Sequence, residues 1–161
     1  MTQNAAKTVN LPLAEAAPTD AWYRDGLRFA CTGCGHCCSG GPGYVWVTPA
    51  DIARIADTLK MPIEAVARQY VRSVDNAFCL TEKVGYDCIF LERPDAHTTR
   101  CRIYEVRPTQ CRTWPFWNAN LKSADAWKRA SQSCPGMRAT EGKVFPLAEI
   151  EQRRLHPESP G

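Results

Sequence analysis

The chain has 161 residues, enough for one domain with an apolar core of its own. It carries nine cysteines and a net charge of +3 with thiols counted neutral. The odd cysteine count argues against a disulfide framework, and the lack of any run of five Lys/Arg argues against a nucleic-acid partner.

Residues 1–20, "MTQNAAKTVNLPLAEAAPTD", are rich in Ala, Thr and Pro without periodicity and read as a flexible arm. They contain no apolar segment of the secretory kind. Apolar runs such as Tyr44–Val47 are far too short to span a bilayer, so no membrane association is expected. The expected location is the cytoplasm, where thiols are kept reduced.

Residues 22–31, "WYRDGLRFAC", read as a strand delivering Cys31 to a turn. The stretch "CTGCGHCC" (31–38) follows, with five glycines from 33 to 43 that allow a loop to fold tightly. "YVWVT" (44–48) reads as a strand. Thr48, Pro49 and Asp51 then form a helix-start signature. Ile52, Ile55, Ala56 and Leu59 space one apolar face. Met61-Pro62 breaks that helix and opens another, with Ile63, Val66, Ala67, Tyr70 and Val71 facing inward. Strands around 77–81 and 87–91 are expected to form a hairpin through a turn at 83–85. The segment 92–100 is a polar loop, and Pro108 opens a short helix in the turn-rich stretch 101–117. Ser123 caps a helix to about Ser131, "CPG" (134–136) is a turn, and Pro146 starts a last helix carrying Leu147, Ile150 and Leu155. The expected fold is α+β. It is a small single domain of short strands and helices around a cysteine-ligated metal centre at 21–145, followed by a helix and tail at 146–161.

Thiolates at C-x-x-C spacing can point two sulfurs at one ion. Zinc takes four ligands tetrahedrally, and iron–sulfur clusters take four cysteines. The adjacent pair Cys37 and Cys38 is the unusual element. Neighbouring side chains tend to diverge, so this pair points to two ions, or two irons of one cluster. Cys88, Cys101, Cys111 and Cys134 are the candidates to complete the shell. Each lies near a Gly, Pro or Arg and beside a turn. Cys79, in "NAFCL", reads as a buried structural thiol.

"CTGCGHCC", "CIFL", "CRIYEVRPTQCRTWPFW" and "CPG", in that order, resemble the YkgJ-type cysteine-cluster family, a zinc- or iron-chelating domain. The resemblance spans about residues 27–136, with Trp114 in place of the usual Phe or Tyr. It implies metal ligation by Cys31, Cys34, Cys37, Cys38, Cys88, Cys101, Cys111 and Cys134. The implied cofactor is zinc or iron; spacing and chain order suggest, as the alternative, a [4Fe–4S] cluster on Cys31, Cys34, Cys37 and Cys134. Cys38, Cys88, Cys101 and Cys111 would then form a second site. With eight thiolates on two divalent ions the charge would move from +3 to about −1.

Arg102, Arg107 and Arg112 are placed to offset thiolate charge, and Trp114, Phe116 and Trp117 either shield the centre or fill the core, with Tyr104 alike. His36 lies in the thiol loop but is surplus to eight cysteines. His97 and His156 fall in polar segments. No Ser/His/Asp order or carboxylate pair stands out, and Asp87 reads as turn chemistry. The expected function is therefore a small metal-binding protein, with no enzyme activity evident. An iron–sulfur redox protein is the alternative, and the partners are a metal ion and an unidentified protein.

Overall fold

The computed structural model describes residues 20–154. The expected N-terminal arm (save Asp20), the tail, Leu155 and His156 lie outside the described residues. Short strands and helices alternate. They are β1 Leu27–Phe29, β2 Trp46–Val47, α1 Pro49–Leu59, α2 Ile63–Tyr70, β3 Val71–Val74, β4 Ala77–Leu80, β5 Leu91–Glu92 and β6 Arg100–Cys101, followed by α3 Thr109–Thr113, α4 Asn118–Leu121, α5 Ala124–Ser133, β7 Lys143–Phe145 and α6 Leu147–Arg154. Every strand pairing is antiparallel: β1 with β7, β5 with β6, and a three-stranded sheet in the order β2-β4-β3. The architecture is α+β, as expected. Among the described residues no helix is long and apolar enough to cross a membrane.

The α1 start follows from its sequence. Thr48 Oγ1 accepts from Asp51 N at 3.1 Å while Asp51 Oδ2 accepts from Thr48 N at 2.9 Å, which satisfies two otherwise orphaned amides. Ile52, Ile55 and Ala56 are buried against Val66 and Tyr70 of α2. Burying an Ile side chain contributes roughly 1.5–3 kcal/mol. Ser123 caps α5 through Ala126 N at 3.1 Å, as its position predicts. Ile63 is the exception in α2. Expected to face inward, it is 51% exposed.

The expected 77–81/87–91 hairpin does not form. β4 pairs instead with β3, joined by Asp75 and Asn76, both at positive φ (47° and 66°). Such a two-residue turn matches the twist of the flanking strands. Val71, read as helical from its spacing, therefore opens a strand. Of the expected pairing only a single bridge remains, Glu82 opposite Cys88. The strand expected over 22–31 is confined to Leu27–Phe29, since residues 22–25 turn.

Two apolar clusters fill the interior. One gathers Val47, Ile52, Ile55, Val66, Leu80, Phe90 and Ile103, with Cys88 and Cys101 packed on its margin. The other gathers Tyr23, Phe116, Leu121, Phe145 and Ile150, with Phe29 and Trp127 against it.

Candidate metal centre

The thiol loop is built on glycine conformations. Gly33 and Gly35 sit at φ +68° and +71°, and Gly35 opens a single 3-10 turn carrying Cys37 and Cys38. Cys38 N donates to Gly35 O at 2.9 Å, Ser39 Oγ to the same carbonyl at 3.1 Å, and the Thr99 hydroxyl holds Gly33 O. At its other edge Ala30 N donates to Gly136 O at 3.1 Å, and His36 Nδ1 donates to Ser133 O at 2.6 Å. Both bonds draw the segment around Cys134 to the loop. His36 thus serves as a tie, a role its sequence context did not reveal.

Three further strands of chain approach the loop. Cys88 N donates to Cys38 O at 2.8 Å. In the tight turn of the "CIFL" stretch Leu91 N donates to Cys88 O at 2.9 Å, and the N–H groups of Phe90 and Leu91 lie near enough to the Cys88 thiol to favour its thiolate against burial. Cys101, on β6 opposite Leu91, receives the N–H of Ile103 in the same way. Backbone N–H donors of this kind favour the thiolate. Cys111 comes in on α3. There the Gln110 side chain donates to Tyr44 O and accepts from Trp46 N, both at 2.9 Å, and so pins α3 along β2.

The result is one cavity of about 270 Å3, onto which Cys31, Cys37, Cys38, Cys88, Cys101 and Cys111 open. Trp114 and Trp117 also line it. Phe116 does not: it is fully buried in the second apolar cluster. Cys34 is half-buried beside Gly33 and Gly35, and Cys134 is buried at the end of α5; neither faces the cavity. Cys79 is fully buried in β4, as expected. Asp87 is engaged with Arg93, and His97 lies exposed in a loop whose amides are bound by Asp95.

The Cys37 and Cys38 sulfurs stand 3.7 Å apart. The expected divergence of neighbours does not occur, because both belong to the tight 3-10 turn. Two sulfurs of a tetrahedral zinc site, each about 2.3 Å from the ion, are about 3.8 Å apart. This pair therefore has the separation of one tetrahedral edge. Among the described residues no three His, Cys, Asp or Glu side chains stand close enough together to enclose one ion.

The electrostatics separate the thiols. A hydrogen bond from Cys38 pushes the Cys37 thiol down to about 7, with Arg107 and His36 acting in the same direction against burial. Cys38 is raised, by that hydrogen bond and then by burial. Burial is the largest cause raising Cys88, Cys101 and Cys111. Each of those three also feels the charge of Cys37. Of the three arginines expected to offset thiolate charge, only Arg107 faces the cluster. Its charge favours the thiolates of Cys37, Cys101 and Cys111, while its Nε donates to Tyr104 O at 2.8 Å and its guanidinium stacks 3.6 Å from the Tyr104 ring centre. The Tyr104 hydroxyl in turn meets the Cys31 thiol. Arg102 points towards the Tyr70 hydroxyl at 3.5 Å, and Arg112 is spent on Arg107 O and Thr109.

The fold and the gathered thiols define a cysteine-cluster domain. The chain belongs to the CxxCxxCC family, described as a "putative zinc- or iron-chelating domain", whose model matches residues 30–135. It is 36% identical over 142 residues, 83% of this chain and 73% of the relative, to a protein of Methanocaldococcus jannaschii named "Uncharacterized protein MJ0661". No solved structure matches.

Proposed function

We propose that the protein chelates zinc or iron through the thiolates of Cys31, Cys34, Cys37, Cys38, Cys88, Cys101, Cys111 and Cys134. The observation that carries this reading is the cavity onto which six cysteines from four separate chain segments open. The donor set fits either metal: all-sulfur ligation suits zinc and iron alike. The backbone amides near Cys88 and Cys101 and the charge of Arg107 would offset the negative charge that ligated thiolates gather. A bound metal would supply either a redox-silent cross-link or, as iron, electron transfer. The eight residues would hold it, and Trp114 and Trp117 would keep water from it. A reducing compartment such as the cytoplasm would keep the thiols available.

An iron–sulfur cluster is the second reading, favoured by one feature. Six cysteines opening onto one cavity of about 270 Å3 leave room for a polyatomic centre. Spacing and chain order group Cys38, Cys88, Cys101 and Cys111 in one site and Cys31, Cys34, Cys37 and Cys134 in the other; with the Cys37 and Cys38 sulfurs 3.7 Å apart, the two sites would then have to adjoin at that pair. The ties from residues 30 and 36 to Gly136 and Ser133 support the second grouping.

The test is metal analysis with an absorption spectrum on anaerobically purified protein expressed with iron available. Stoichiometric zinc in a colourless protein supports chelation of single ions. A brown protein with visible absorption supports the cluster. Protein that takes up neither metal, with its thiols reduced, overturns both.

A further inference from the structure

The thiols are flanked by a second cavity, of about 210 Å3, that shares Cys37, Cys38 and Cys88 with the first. The two differ in charge. The first is bordered by Arg100 and Arg107 and by no carboxylate. The second is bordered by the Glu82 carboxylate and by no Lys or Arg. Arg100 is itself paired with Glu92 at 2.6 Å, which leaves Arg107 as the cation facing the thiols on the first side, while on the second side the Glu82 carboxylate faces the thiols with Arg72 3.9 Å from it.

Glu82 is also positioned for contact with the ligands. It stands directly opposite Cys88 in the antiparallel bridge, and residues paired in that way place their side chains side by side. One carboxylate oxygen accepts from Gly43 N at 3.0 Å. The other is 3.9 Å from Arg72, beyond hydrogen-bonding distance, and so keeps acceptor capacity. The Thr81 hydroxyl, on the same cavity, is buried with no hydrogen-bond partner. A carboxylate can hold a hydrated divalent ion through its charge and the ion's waters, whereas thiolates bind zinc or iron directly.

We propose that this polar cavity is an antechamber for the metal, in which Glu82 takes up a hydrated divalent cation and passes it to Cys88 and Cys38. On transfer, each thiol releases its proton to solvent as its sulfur displaces a water from the ion. Glu82 is left unligated and unchanged. The inference rests on the chelation reading above.

The experiment is stopped-flow mixing of metal-free full-length protein with cobalt(II), read by cobalt–thiolate absorption. Wild type is compared with Glu82→Gln and Arg72→Gln at low and at physiological salt. Gln keeps one oxygen to accept from Gly43 N and replaces the other with an NH2 group, removing the charge and the free acceptor together. One unit charge beside a divalent ion changes the rate about three- to tenfold at low salt, less when screened. Glu82→Gln should load more slowly by that factor and also surrender cobalt to a chelator more slowly by the same factor. Its final stoichiometry and Kd should match wild type. Arg72→Gln should load faster. Equal loading rates in wild type and Glu82→Gln at low salt overturn the antechamber. A weakened Kd in Glu82→Gln also overturns it, making Glu82 a resident ligand. Wild-type protein without cobalt–thiolate absorption overturns chelation itself and the antechamber with it.

Discussion

Gly35→Ala tests how rigidly the thiol loop is held. Gly35 lies in the left-handed region at φ +71°, which costs an L-residue about 1–2 kcal/mol. An added Cβ would also stand 2.9 Å from Thr99 Oγ1 and 3.1 Å from Leu91 Cδ1. Leu91 is buried and cannot withdraw. Thr99 can, but only by loosening its hydrogen bond to Gly33 O, worth about 1 kcal/mol. The total is about 2–3 kcal/mol. If the metal-free loop cannot relax, the cost appears as a melting temperature lowered by about 4–12 °C. If it relaxes, the cost appears on metal loading as a Kd raised about 30- to 150-fold. Thermal unfolding of the metal-free protein and chelator competition together recover the sum. Gly33→Ala is the control. Its φ is +68° but nothing lies within 4 Å of the added Cβ, so only the backbone cost of about 1–2 kcal/mol applies. Gly35→Ala with melting temperature and Kd both unchanged would refute the tight loop described above.

Thiol reactivity should follow the electrostatics. In metal-free protein at pH 7.5, iodoacetamide should modify Cys37 before Cys38, Cys88, Cys101 and Cys111, because Cys37 alone of these is pushed down, to about 7. Peptide mapping that shows equal labelling of the five contradicts this. Arg107→Gln should slow the Cys37 reaction by removing a charge that favours its thiolate. Stability should depend on pH with opposite signs in the two forms. The raised thiols of Cys38, Cys88, Cys101 and Cys111 stabilise the metal-free fold below pH 9 and lose that contribution as pH rises beyond it. Cys37 runs the other way, gaining between about 7 and 9, but it is one group against these four and Cys79, which burial raises likewise. Metal-free protein should therefore melt at lower temperature at pH 10 than at pH 8. Metal-loaded protein should gain from pH 6 to 8 as protons cease to compete for sulfur. Finally, Gly136→Ala places a Cβ 2.2 Å from Ala30 O and should cost about 1–3 kcal/mol by denaturant unfolding. Gly43→Ala, with open space around it, should cost far less.

Elements with local signals were legible in the sequence. The Thr48-Pro49-Asp51 start of α1 and the Ser123 cap of α5 are each written within four residues and appear as read. The β3–β4 hairpin was hidden because Val66, Tyr70 and Val71 continue a helical spacing. The Asp75-Asn76 turn was the signal that could have corrected it. The β1–β7 pair joins residues more than a hundred positions apart, with Leu27 opposite Phe145, and nothing local in "KVF" announces its partner. The motifs pointed to the cysteines, but spacing could not say that six share a cavity while Cys34 and Cys134 lie off it. Likewise Arg102, Arg107 and Arg112 look equivalent in the chain. Only the turn after Tyr104 decides that one of them faces sulfur.

The Gln110 amide has a consequence for solubility. With its carbonyl bound to Trp46 N and its NH2 to Tyr44 O, it occupies the hydrogen-bonding positions where a foreign strand would dock along β2. Unprotected margins of this kind seed self-association between copies. The same side chain that sets α3 beside the thiols therefore shields that margin of the sheet from intruding chains.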